Sequence, residues 1–461
     1  MSNDVDTRVA TALTALYRTL GGMAANIPEP VLAGPLKHFA DALEWSAHSL
    51  ESDERVKANE KLIDGLLAEA NSLLDEAGRP IPADGPDEVA RSVEALVFAS
   101  EAGVPGARAL LDQLLTTITY VETGVAQGPE AVPAGPSAPA RLTPDQVAAY
   151  LRRHYGDEDV VVESVTTIGG GYSKHTVLVD ATWKGERQEI VLRQVPPGQP
   201  DDTLAPEYAV LRHVWSPELP IAEPLWIEAP SELGGPFFAS RKADGSTFGT
   251  VEGAQTAVPA SFCEDLAGFL ARLHAIDPTG LTTAPVPPMR TAEEIRVAID
   301  QMAAKAVAAT GTTSPRLAAV LAWLHANIPD RVSASIVHGD VGLHNALSDG
   351  ERLTAVLDWE RAHLGDPVED LAYLRPSVEP VYPWEDFIDC YIAHGGARPD
   401  PAAERFYTVW QDTWRHIECV RLSEDFFASG SIPMLIAGMV LGPRFLASAQ
   451  RSAFGSEGGQ P

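Results

Sequence analysis

The stretch Val337-His338-Gly339-Asp340-Val341-Gly342-Leu343-His344-Asn345, followed by Val356-Leu357-Asp358-Trp359-Glu360, constrains this chain more than any other. Asp340 and Asn345 are five residues apart, and Asp358 follows thirteen residues later. Between them, Asp349-Gly350 is a strong hairpin signal flanked by short apolar strands. A hairpin returns the chain to where it began, so Asn345 and Asp358 are expected side by side at the open end of two strands. Both present oxygen, which suits a hard cation such as Mg²⁺. Asp340, at the start of the loop, can then accept or orient the proton of an acceptor hydroxyl. A solvated surface hairpin would also carry acids, but the ordered set with a hairpin between its parts favours a site.

This set resembles the aminoglycoside phosphotransferase and choline kinase-like family, which shares the protein-kinase fold. The resemblance covers about residues 160 to 450. It extends to Leu270-Ala271-Arg272-Leu273-His274-Ala275-Ile276-Asp277, which is similar to the helix that opens the family's C-terminal lobe. Gly365-Asp366-Pro367-Val368-Glu369-Asp370-Leu371-Ala372 is similar to the segment after its metal-binding acid. The branch resembled most is the one that includes phosphotransferase domains fused to acyl-CoA dehydrogenases. The resemblance implies that Asp340 is the catalytic aspartate, that Asn345 and Asp358 hold magnesium, and that His338 is structural. It also implies transfer of phosphate from ATP to a small-molecule hydroxyl, with GTP left open as donor. An aminoglycoside fits the family, and a hydroxyacyl-CoA or another hydroxylated metabolite fits the branch. His344, inside the loop, is a candidate acceptor contact, and Asp366 and Asp370 are expected to cap and position the helix that follows.

Upstream, residues 159–195 read as strands around the turn Gly169-Gly170-Gly171-Tyr172-Ser173-Lys174 and a second turn at Lys184-Gly185. A strand, a glycine turn and a strand is the arrangement that covers nucleotide phosphates in kinases. Gly169, Gly170 and Gly171 let backbone amides approach the phosphates, and Ser173 adds a hydroxyl. Kinases place a lysine on the third strand, paired with a glutamate on the next helix. Here that strand ends Val191-Leu192-Arg193. Arginine keeps the charge but is not interchangeable with lysine. Glu207, on a helix with Leu204, Tyr208, Leu211 and Trp215 on its apolar side, is its expected partner. Ser240, Arg241 and Lys242, within Pro236–Gly245, are the expected hinge, where adenine would meet backbone rather than side chains.

The expected organisation is α+β. An all-α accessory domain spans residues 1–124, a Pro/Gly/Ala linker 125–141, a β-rich N-lobe of a two-lobed kinase-like fold 142–248, a helical C-lobe 249–454 and a disordered tail 455–461. The accessory domain carries apolar residues at helical spacing, such as Val9, Leu13, Leu16 and Leu20, and no ligand cluster. Packing or oligomerisation, such as a homodimer formed through these helices, is favoured as its role over substrate recognition. Thr143 with Pro144 marks a helix start. In the C-lobe, Trp410 and Trp414 read as core, and Asp412, His416 and Glu418 as cleft-lining or solvated.

A formal net charge of −30 argues against binding to nucleic acid and to anionic membrane surfaces, which need clustered Lys and Arg. Cys263, Cys390 and Cys419 form neither a metal pattern nor a disulfide framework, so free thiols in a reducing cytoplasm are expected. The start of the chain has no signal-peptide pattern. The apolar run Ile432–Leu441 is too short to span a bilayer and reads as a core helix. The rival to an enzyme is a non-catalytic nucleotide-binding scaffold, supported only by Arg193 in place of lysine. A protein kinase proper fits poorly, because Asp358 leads quickly into Gly365-Asp366-Pro367.

Overall fold

Alternating apolar residues in the strands and apolar residues three to four apart in the helices set up the buried cores of the described residues. A computed structural model describes residues 53–81, 88–122, 142–168, 174–195, 203–229, 231–250, 253–254, 256–310, 314–330, 334–429 and 441–455. The chain divides into two units, one of residues 1–137, 296–328 and 408–461, the other of residues 138–295 and 329–407. The expected glycine turn (Gly169, Gly170, Gly171, Ser173), the linker up to residue 141, the first repeats at Val9–Leu20 and the run from Ile432 to residue 440 lie outside the described residues.

The first unit is helical where described. Helices α1 (Asp53–Glu76), α2 (Glu88–Glu101) and α3 (Ala107–Glu122) bury one stripe each, for example Leu66, Ala70 and Leu74 on α1 and Val93, Leu96 and Val97 on α2. The helix Pro315–Ala326 begins at Ser314, whose hydroxyl accepts from the Leu317 amide, and buries every residue from Arg316 to Leu324. A helix apolar all round needs neighbours on all sides. It finds them in α2, α3 and the helix Gly442–Phe454, with Arg316 donating to Gln450 Oε1 at 2.9 and 2.7 Å. Residues 296–328 and 408–454, expected in the C-lobe, group by their contacts with the first unit. Trp410 is buried in this unit, as expected of a core residue.

The second unit opens with α4 (Pro144–Tyr155). Its capping box is formed by Thr143 and Gln146, and it ends on Gly156 in the left-handed region. Strands β1 (Val161–Ile168), β2 (His175–Trp183) and β3 (Glu186–Gln194) follow, then α5 (Leu204–Val214), β4 (Pro224–Glu228) and β5 (Phe237–Arg241). They form one antiparallel sheet in the order β1-β2-β3-β5-β4. Val177, Val179 and Ala181 of β2, with Ile190 and Leu192 of β3, pack with Val147, Tyr150 and Leu151 of α4. The opposite face of β2 and β3 therefore carries Thr176 and, paired across from it, Arg193.

Strand β6 (Ser246–Thr247) and helix α6 (Ala260–His274) lead into the second part of this unit. Strand β7 (Ser335–Val337) enters the Asp340 loop, β8 (Ala346–Ser348) and β9 (Leu353–Val356) form the expected hairpin, and β10 (His363–Gly365) returns to pair with β7. Helices α7 (Val368–Val378) and α8 (Trp384–Ala393) close this core around Phe262, Phe269, Trp359 and Phe387. A five-stranded antiparallel sheet followed by helices around a loop-bearing hairpin is the expected α+β, kinase-like arrangement. All three cysteines are free. Among the described residues, no helix is long and apolar enough to cross a membrane.

Candidate active site

The hairpin does what its sequence requires. Ala346 pairs with Val356, and the Leu357 amide donates to the Asn345 carbonyl at 2.8 Å, so Asn345 and Asp358 flank the open end. Asp358 sits at φ +67, a left-handed conformation that non-glycine residues rarely adopt. Such strain is kept only where surrounding contacts hold it. One of those contacts is Arg193, which donates to Asp358 Oδ1 at 3.1 Å and to Thr176 Oγ1 at 3.1 Å.

Asp340 is oriented from three sides. The Asn345 amide nitrogen donates to its backbone carbonyl at 2.9 Å and to Oδ2 at 3.1 Å. The Tyr373 hydroxyl donates to Oδ1, and His344 Nε2 lies 3.6 Å from that oxygen. Burial alone would push the Asp340 carboxyl up, but His344, Tyr373 and Arg361 outweigh it and hold the group below its ordinary value. Asp340 is therefore an ionised acceptor with two donors fixing its oxygens.

The loop that carries Asp340 is pinned from below. Asp370, fully buried, accepts from the His338 amide and the Gly339 amide, both at 2.8 Å, and lies 3.1 Å from His274 Nε2. Asp366 caps the following helix through the Val368 amide, as expected, whereas Asp370 holds the loop instead of capping. His338 Nδ1 accepts from the Asp340 amide at 3.2 Å, so Nε2 carries the hydrogen and donates to the Leu357 carbonyl at 3.0 Å. One imidazole thus ties the Asp340 loop to the residue before Asp358. Gly339 sits at φ +76, and a Cβ there would lie 2.7 Å from the Arg361 carbonyl, so this turn needs glycine.

The charge pairing differs from the expectation. Glu207 does not brace Arg193. Its Oε2 lies 3.3 Å from Lys174 Nζ, and Lys174 also meets Glu360 Oε2 at 3.1 Å and Thr203 Oγ1 at 2.9 Å. Lys174 and Glu207 are both buried. The reason is reach: the Arg193 guanidinium extends toward the hairpin, while Lys174, at the mouth of β2, lies over α5. Lys174, Glu360 and Tyr373 were not among the residues singled out from the sequence. The usable signal for Lys174 is its period-two relation to Thr176, which puts both on the face that bears Arg193. Burial pushes the Glu207 carboxyl up to about 7 against the pull of Lys174 and Arg193.

That shift has a measurable consequence. The folded Glu207 holds its proton to about 7, the unfolded one only to its ordinary value of 4.5. As pH rises between these values the unfolded chain releases its proton first, so folding stability is lost across this window and the slope ends above it. Wild type is expected to lose stability relative to Glu207→Gln from pH 5 to 7, by on the order of 2 kcal/mol. Urea unfolding of both proteins at several pH values checks this, and parallel curves would remove the buried acid from the account.

The residues expected at the hinge lie at the end of β5 and just beyond it. Ser240 is buried opposite Val191, Arg241 bonds Glu223 and Gln188, and the Lys242 amide donates to the Glu189 carbonyl at 2.9 Å. Asp412, His416 and Glu418 fall in the helical unit, where His416 bonds the Gly442 carbonyl.

The donor set suits a hard dication. Asp358 is pushed up to about 6, first by burial and then by the charges of Glu360 and Asp340, against Arg193 and Lys174. Carboxylates crowded this way gain from a cation between them. The Asn345 nitrogen is committed to Asp340, which leaves its amide oxygen as the group that could meet a cation. Among the described residues, no three His, Cys, Asp or Glu side chains form a metal-binding group, so the set rests on one carboxylate and one carboxamide.

The sequence profile of the phosphotransferase enzyme family (APH) matches residues 164–418, more than half of the chain. The chain belongs to this family. It is 29% identical over 242 residues to acyl-CoA dehydrogenase family member 11 of Mus musculus, a match covering 49% of this chain and 30% of that protein. It is 34% identical over 82 residues to viomycin phosphotransferase of Streptomyces vinaceus, covering 17% of this chain and 27% of that one. The chain thus spans about a third or less of the length of these curated relatives. A crystal structure from Ralstonia eutropha JMP134, assigned as an aminoglycoside phosphotransferase, superposes with a TM-score of 0.53 at 20% identity, over 67% of this chain and 97% of that one. At that identity the likeness establishes the kinase-like fold. The resemblance read from the sequence holds for the family and for the branch associated with acyl-CoA dehydrogenases.

Proposed function

We propose that this phosphotransferase family member moves the γ-phosphoryl group of ATP to a hydroxyl of a small molecule, with magnesium. The observation that carries the reading is the convergence of Asp340, Asn345 and Asp358 on one hairpin mouth, with Arg193 on the last of them. The acceptor oxygen forms the new bond to γ-phosphorus, the β–γ bridging P–O bond breaks, and ADP leaves. The acceptor proton passes to Asp340. With its carboxyl held low, Asp340 is a weak base, so it chiefly orients the hydroxyl and takes the proton as the new bond forms. Asn345 and Asp358 would hold the metal, which when bound offsets phosphate charge.

The non-catalytic alternative drew on Arg193 alone, and Arg193 has a defined partner in Asp358. The names of the relatives support two acceptor classes, an aminoglycoside-like antibiotic and a hydroxyacyl-CoA or another hydroxylated metabolite. Calorimetric titration of ATP and of GTP, with and without magnesium, tests the donor side. Magnesium-dependent binding of one nucleotide is the expected result and justifies an acceptor screen by ADP release. Absence of binding by folded protein would overturn the proposal.

A further inference from the structure

We propose that Lys174 is the cation that meets the nucleotide's phosphates, braced by Glu207, and that Arg193 serves to hold Asp358. This rests on the phosphotransferase reading and reassigns a role within it. In the kinase arrangement one basic residue must do two things: sit on the sheet face over the phosphates and pair with an acid on the following helix. Arg193 meets the first condition, but its guanidinium turns to Thr176, Asp358 and Glu360, while the ion pair of Glu207 is with Lys174. Lys174 meets both. It precedes β2 on the face of Thr176 and Arg193, and its ammonium lies 3.3 Å from Glu207 on α5.

Burial sharpens the argument. The Lys174 side chain is 1% exposed, and an ammonium out of water is costly unless acids surround it. Glu207 and Glu360 provide them, from α5 and from the segment that carries Asp358. Thr203, at the start of α5, turns its hydroxyl to Lys174 rather than to its own helix amides. Glu360 stands two residues beyond Asp358 and lies 3.1 Å from Lys174 and 4.0 Å from Arg193, so both cations converge on the segment that carries Asp358. Lys174 joins the strand that leaves the glycine turn, the helix α5 and the metal-binding segment, which are the three parts a nucleotide triphosphate must bring into register.

The test is calorimetric binding of ATP, with and without magnesium, to wild type, Lys174→Gln, Arg193→Gln and the double variant Lys174→Gln/Glu207→Gln. The double variant removes both buried charges, so it stays readable if the single lysine variant fails to fold. Both Lys174 variants are expected to lose ATP affinity by about 10- to 100-fold, whether or not magnesium is present. Arg193→Gln is expected to keep its magnesium-free affinity within about threefold and to lose most of the magnesium-dependent gain. A folded double variant that binds ATP like wild type overturns the inference, as does loss of magnesium-free binding confined to Arg193→Gln. If wild type itself binds no nucleotide, the phosphotransferase reading fails first and this inference falls with it.

Discussion

Asp340→Asn is expected to bind MgATP with near wild-type affinity and to transfer phosphate roughly 10²- to 10⁴-fold more slowly. The substitution keeps the shape of the side chain and so keeps the loop. It removes the charge proposed to orient the acceptor hydroxyl and the atom proposed to receive its proton. An amide at this position would also set its nitrogen against the Asn345 nitrogen or the Tyr373 hydroxyl, both of which donate to the present carboxylate. Initial rates with the screened acceptor, beside calorimetric ATP binding, separate the two effects. A rate within a fewfold of wild type would exclude Asp340 as the catalytic residue.

Asp370→Ala is expected to cost about 3–5 kcal/mol of folding stability, the usual penalty for breaking a buried charged network from one side. The carboxylate is completely inaccessible, and its loss leaves the His338 and Gly339 amides without their acceptor and His274 beside an empty space. The same network sets a pH response. Burial pushes Asp370 up, but His274 and His338 outweigh it and hold the carboxyl below its ordinary value of 3.8. A depressed carboxyl contributes stability above its unfolded value and loses it as pH falls through its folded value. Denaturant melts of both proteins at neutral pH and near pH 3 are the check. A variant as stable as wild type at neutral pH would show that Asp370 does not hold the loop.

The two sites of substitution also differ in how the sequence announced them. Asp340 stands in a motif whose spacing already implies a hydroxyl acceptor and a metal. Asp370 reads locally as a helix-capping acid, and nothing nearby in sequence marks its bond to an amide thirty-two positions earlier. Tyr373 is similar: a tyrosine on an apolar helix gives no hint that its hydroxyl ends on Asp340.

What the sequence determined by itself was local or repetitive. The hairpin between Asn345 and Asp358 follows from one turn signal and two short strands, and it alone brings those oxygens together. Strand alternation, helix periodicity and the Thr143 cap place the sheet and α4 correctly, because each depends on neighbours within a few residues. Tertiary structure decided the rest. Periodicity puts Lys174, Thr176 and Arg193 on one face but cannot say which cation reaches α5 and which reaches Asp358. Those partners are 33 and 165 positions away, and the choice turns on side-chain reach across packed elements. The helix Pro315–Ala326 gives the same lesson. Its sequence shows that it must be buried all round, and only the packing of distant α2 and α3 against it shows by what.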